Sequence, residues 1–163
     1  MILYHGSTEI VDKPRLITPN RTLDFGEGFY TTAHRAQAIA FAGIVMLRRK
    51  SLRQFVSIYD FDMERANKEL DVLRFSGADE DWFDFVCSNR QGVCSGKEHD
   101  LIIGAVANDK VYATIALYES GFLNKEQAID SFKVNPLFDQ YVLKTEAALA
   151  ILSFREAFDP RET

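Results

Sequence analysis

The stretch Leu101-Ile102-Ile103-Gly104-Ala105-Val106-Ala107 constrains this chain more than any other. It is continuously apolar and suits a buried strand, which needs partner strands beside it and cover above and below. Other segments supply short elements of both kinds. Ile2-Leu3-Tyr4 reads as a strand ending at Gly6 and Ser7, and Pro14 and Pro19 punctuate the loop that follows. Phe29-Tyr30-Thr31 is β-prone, and Phe55 to Phe61 alternates with strand spacing. Tyr141-Val142-Leu143 and Ile151 to Phe154 read as two more strands. Helical spacing appears from His34 to Leu47, across Met63, Ala66, Leu70 and Leu73, around Trp82, Phe83 and Val86, and at Glu146 to Leu149. Asn124 with Gln127 predicts a helix start built as a capping box. Short strands interleaved with helices define a mixed α+β domain, and nothing resembling a linker or a repeat divides residues 1–163.

Composition narrows the function classes. The chain has 163 residues and 47% hydrophobic side chains, enough for a true core. Its net charge is −5, which gives no general basic face for a nucleic acid. The basic cluster Arg48, Arg49, Lys50 and Arg53 reads as a solvated helix end, where cations favour the helix dipole. Cys87 and Cys94 lack the paired spacing of a zinc site and read as free thiols in a reducing compartment, so no metal is expected. The longest nearly apolar run, Ala36 to Leu47, falls short of the ~20 residues that span a bilayer. With no secretory pattern at Met1 to His5, a cytoplasmic protein without a membrane partner is expected.

Three stretches carry more chemistry than packing requires. Tyr4-His5-Gly6-Ser7 ends a strand, where a Gly allows close approach to the backbone and a flanking His and Ser can hydrogen-bond an amide or ribose. Phe25-Gly26-Glu27-Gly28-Phe29-Tyr30 sets two glycines before two aromatics, and Tyr30 could stack on a flat heteroaromatic ring. Asp139-Gln140 precedes an apolar strand, a common position for the rim of a site. Each has a plainer reading as well: a turn with a capping Ser, a glycine turn entering a core strand, and a loop-to-strand junction. His34 and His99 read as surface residues. Gly26-Glu27-Gly28 lacks the third glycine of a dinucleotide fingerprint.

Taken in order, the three stretches resemble the ADP-ribosyltransferase superfamily, on the branch of diphtheria toxin and the poly(ADP-ribose) polymerases. The likeness runs from Leu3 to about Phe154, with only short patches being specific. The segment from Asp100 to Tyr112 is similar to a bacterial family within that superfamily. Phe41 stands eleven residues after Tyr30, where the polymerases carry a second stacking aromatic. The branch's His, Tyr and Glu signature falls on His5, Tyr30 and Gln140, so the Glu is replaced.

The resemblance implies a split β-sheet with flanking helices and an NAD cleft. It also implies NAD as co-substrate, held by His5, Gly6, Ser7, Tyr30 and Phe41, with Gln140, His5 and Tyr30 as the catalytic set. Gly6 and Ser7 would hold the carboxamide, His5 the adenosine ribose, and Tyr30 and Phe41 would sandwich the nicotinamide. A Gln keeps an acceptor and the length of a Glu but lacks its charge, which predicts slow, single-unit transfer or help from Asp109, Asp139 or Glu146. The expected activity is mono-ADP-ribosyl transfer to a protein or nucleic acid, as in a bacterial toxin or a toxin–antitoxin component with an antitoxin partner. An NAD- or ADP-ribose-binding module and an NAD glycohydrolase are the alternatives.

Overall fold

The computed structural model describes residues 1–16, 23–93, 99–106, 109–133 and 139–162. Pro19, Cys94, Glu98, Ala107 and Asn108 lie outside the described residues, as do the side chains of Asp109 and Lys110. The elements run β1 (Ile2–Ser7), β2 (Phe29–Thr32), α1 (Arg35–Arg49), β3 (Phe55–Phe61), α2 (Met63–Glu69), β4 (Val72–Arg74), α3 (Glu80–Arg90) and β5 (Leu101–Ala105). They continue with α4 (Asp109–Glu119), α5 (Lys125–Lys133), β6 (Asp139–Leu143), α6 (Glu146–Leu149) and β7 (Leu152–Phe158). The α+β class is therefore the observed one.

All seven strands join one sheet in the order β4-β5-β6-β2-β1-β3-β7. The apolar run forms β5, buried along its whole length between parallel β4 and antiparallel β6. The capping box closes as expected: the Asn124 amide donates to Gln127 Oε1 at 3.0 Å, and the Gln127 amide to Asn124 Oδ1 at 2.8 Å. Asp79 caps α3 by accepting from the Trp82 amide at 2.9 Å.

Two expectations change. The helical spacing through Leu70 and Leu73 does not persist, because α2 ends at Glu69 and Leu70 turns extended. Asp100 draws the chain out by accepting from the Asp71 amide at 2.9 Å, and Leu73 then pairs with Ile102 in β4. Gln140 does not precede its strand but lies inside β6, 7% exposed.

The joint between β2 and β1 sets this sheet apart. β1 and β3 share six register pairs and β2 and β6 share four, yet β1 and β2 meet only at Tyr4 and Thr32. The sheet is thus two halves, β4-β5-β6-β2 and β1-β3-β7, hinged on one pair. On one face, α3, α4 and α5 cover the four-strand half with Trp82, Phe83, Ile115 and Phe132. On that same face, α1 covers the three-strand half through Ala38 and Ala42 against Val56. The opposite face packs Leu3, Phe29, Tyr59, Ile103 and Leu143 beneath α2 and α6.

Candidate functional site

Directly paired residues on neighbouring strands point to the same face, and successive residues alternate. The row Tyr4, Thr32, Gln140 and Gly104 therefore lies on the α1 face. Tyr30 and Val142 form the next row of that face, and Tyr30 packs against the cluster containing Phe25 and Val142. Continued past Tyr4 and Thr32, the register would set Gly6 opposite Tyr30, but the strands diverge there instead.

Gly6 marks where α1 comes closest. A Cβ on Gly6 would sit 2.3 Å from the Ala38 carbonyl oxygen and 2.8 Å from the Ala42 nitrogen. The missing side chain thus admits the helix backbone, a role the sequence reading assigned to a ligand. Phe41 lies between those two alanines in sequence. On a helix of 3.6 residues per turn, Phe41 and Arg35 fall on opposite flanks of Ala38. Arg35 stacks over Phe158 of β7 at 4.4 Å, so Phe41 takes the flank nearer β2. Gln37, one turn before Phe41, confirms this flank, because its Oε1 accepts from Thr32 Oγ1 of β2 at 2.8 Å. The Phe41 ring is 43% exposed. Tyr30, Gln140, Gly6 and Phe41 thus share one face at the joint.

Tyr30 is held firmly. Its hydroxyl donates to the Gly26 carbonyl at 2.6 Å and accepts from the Phe25 amide at 3.2 Å. Gly26 turns the loop at φ 74°, and Lys144 Nζ donates to the Phe25 carbonyl at 2.8 Å. A Cβ on Gly28 would meet Val142 Cγ1 at 2.7 Å. The glycine segment is therefore packed and clamped. Asp24, a carboxylate the sequence reading passed over, is buried in this segment and accepts from the Tyr112 hydroxyl at 3.4 Å.

Gln140 Nε2 makes a long contact, 3.5 Å, to the Ala105 carbonyl oxygen, which also accepts from the Trp82 indole N–H at 3.0 Å. A carboxylate at this position would set negative oxygen against that carbonyl, whereas an amide can donate to it. This gives Gln140 a structural reason to be Gln.

His5 and Ser7 belong to the opposite face. The His5 ring stacks on Phe29 with centroids 4.4 Å apart, and its Nδ1 lies 2.7 Å from the Tyr30 carbonyl oxygen. That contact spans the divergence, so His5 ties the two halves where the ladder stops. Burial lowers its pKa from the ordinary 6.5, the Tyr30 carbonyl opposes that shift, and Arg49 adds to it. Ser7 is buried at the end of β1. Of the candidate helper carboxylates, Asp139 and Glu146 are not gathered at Gln140. Asp139 is exposed and alternates to the far face, Glu146 opens α6 beyond the other end of β6, and the Asp109 side chain lies outside the described residues.

The Cys87 thiol is pushed up to about 11, chiefly by burial, and is no nucleophile at neutral pH. A groove of about 520 Å³ lies among Leu73, Phe75, Asp79, Phe85 and His99, at the β4 edge of the sheet. Strands β5 and β6 separate that edge from β2. Among the described residues, no cluster of His, Cys, Asp and Glu is arranged to hold a metal ion. No helix among them is long and apolar enough to cross a membrane.

The structure sets Tyr30, Phe41, Gly6 and Gln140 on one face, and hydrogen bonds of Gln37, Trp82 and Lys144, residues not singled out for chemistry in the sequence, lie around them. Those contacts join residues far apart in sequence, and no local pattern announces them. A seven-strand α+β sheet hinged at one residue pair, with an aromatic on each side of the hinge, defines the architecture. Residues 1–154 match the family described as protein of unknown function, DUF3990, and the chain belongs to that family. No curated protein and no solved structure matches it.

Proposed function

We propose that the protein is an NAD-dependent mono-ADP-ribosyltransferase whose nicotinamide subsite is the divergence between β1 and β2. The observation that carries this reading is the joint itself. Backbone pairing stops after Tyr4 and Thr32, Tyr30 flanks the gap on the β2 side, and Phe41 overhangs from α1 on the same face. In this reading nicotinamide stacks between the two rings, and unpaired backbone at Gly6 meets its carboxamide. The bond between the nicotinamide nitrogen and ribose C1′ breaks with its electron pair leaving on nicotinamide, and an acceptor nucleophile closes on C1′. Clamping the leaving group supplies orientation. Gln140 lies in the row beside Thr32 and offers a neutral dipole where related enzymes place charge, so turnover is slow.

The contact of Gln140 with Ala105 favours a second reading, a module that binds NAD or ADP-ribose without turning it over. Isotopically labelled NAD separates the two. The transferase releases nicotinamide and leaves label on a protein or nucleic acid. Because Phe41 is exposed, Phe41→Ala keeps the fold and lowers turnover about tenfold through loss of one stacking partner. Saturable binding without release selects the module, and release without attached label selects a glycohydrolase. Absence of both binding and release in the wild type would overturn the NAD reading.

A further inference from the structure

Helix α1 lacks the polar outer face that a surface helix normally shows. Its sequence contains no acidic residue, and its inner side is taken up by buried Ala38 and Ala42. Ala36, Ala40, Ile44 and Leu47 are exposed and fall on the arc away from those two alanines. Phe41 extends that arc toward β2. Leu47 is 73% exposed, and Leu52, just past the helix, 88%. A helix that is apolar all round is normally a covered helix.

Charge selects what covers it. The arc ends among Arg48, Lys50 and Arg53, none of which is ion-paired to a described residue. A second copy fits badly. Antiparallel α1 helices would bring Arg35 against Arg48, and parallel ones would stack the same cations on each other. An anionic membrane would be met best by cations along both flanks, but here they gather at one end. An elongated partner with apolar anchors and acids clustered at one end matches both features.

We propose that the outer face of α1 is the docking surface for an acidic amphipathic helix of a partner protein. Its apolar residues pack on Ile44, Leu47 and Phe41, and its carboxylates meet Arg48, Lys50 and Arg53. The surface stands on its own observations. Its effect on activity rests on the NAD reading, because a partner over Phe41 covers one side of the nicotinamide subsite.

The test uses the full chain and a labelled model peptide of about 18 residues, roughly five helical turns, with Leu on one face and Glu elsewhere. Fluorescence anisotropy should show saturable binding, weakened at least about tenfold in Ile44→Asp/Leu47→Asp and again in Arg48→Glu/Lys50→Glu/Arg53→Glu. A peptide with Lys in place of Glu should not bind. The substituted positions are exposed, so thermal unfolding of the variants should match wild type and show that folding is intact. The proposal is overturned by absent binding, by equal binding of the Lys peptide, or by binding the variants leave unchanged. It is also overturned if the same variants instead abolish partition onto phosphatidylglycerol vesicles, or dissolve a homodimer seen by sedimentation.

Discussion

The two halves of the sheet solve the same packing problem on the α1 face by different means. The four-strand half interlocks large rings, with Trp82 edge-on to Phe132 at 5.7 Å and Phe83 edge-on to Tyr118 at 4.9 Å. The three-strand half centres on small side chains there, Ala38 and Ala42 against Val56 with Tyr4, Ile39 and Phe158 around them, and α1 lies backbone to backbone on Gly6. The first arrangement gains its stability from buried aromatic area. The second gains it from close approach, which tolerates no added atom. The lesson concerns the joint: a helix seated this low brings Phe41 down beside β2, and a bulkier contact would lift it away.

The comparison can be broken experimentally. Trp82→Ala should cost about 3–5 kcal/mol in urea unfolding, the cost of emptying a large aromatic site; a loss under about 1 kcal/mol would mean the rings do not interlock. Gly6→Ala should cost about 1–3 kcal/mol by overpacking, although it adds only a methyl, while Gly77→Ala, with nothing within 4 Å of its Cβ, should be near neutral. Equal behaviour of the two glycine variants would refute the close-approach account. The smallest expected effect is at His5. Its folded pKa lies below 6.5, so the unfolded chain takes up a proton first as pH falls. The stability present above pH 6.5 is then lost between that pH and the lowered folded value. His5→Asn should flatten this part of the pH–stability curve, and an unchanged slope would assign it elsewhere.

Legibility followed the range of the interactions. The β5 and β3 strands and the Asn124–Gln127 box rest on local patterns and form as expected, with β5 closing at Ala105 and β3 buried on both faces. β4 was hidden because Leu70 and Leu73 mimic a helical repeat, and its three residues become a strand only by pairing with β5. The site divided in the same way. Tyr30 stands out by residue type after its glycines, and Phe41 only through the resemblance, which expects an aromatic eleven residues later. The opposite orientation of His5, the burial of Gln140 and the clamp from Lys144 to Phe25 depend on registers and contacts between distant segments. The glycines at 6 and 28 were noticed for a ligand's sake, yet both are required by neighbouring protein atoms.

Trp82 is the chain's only tryptophan, and its indole N–H shares the Ala105 carbonyl with Gln140. The molecule therefore carries one tryptophan fluorophore beside its six tyrosines, and that indole lies in the half built from rings. Its emission follows melting of that half and any rearrangement of Gln140. Fraying of β1, β3 and β7 alone would leave its emission unchanged, and amide exchange would have to detect that opening. A gap between the optical and exchange signals would measure how independently the hinge lets the two halves breathe.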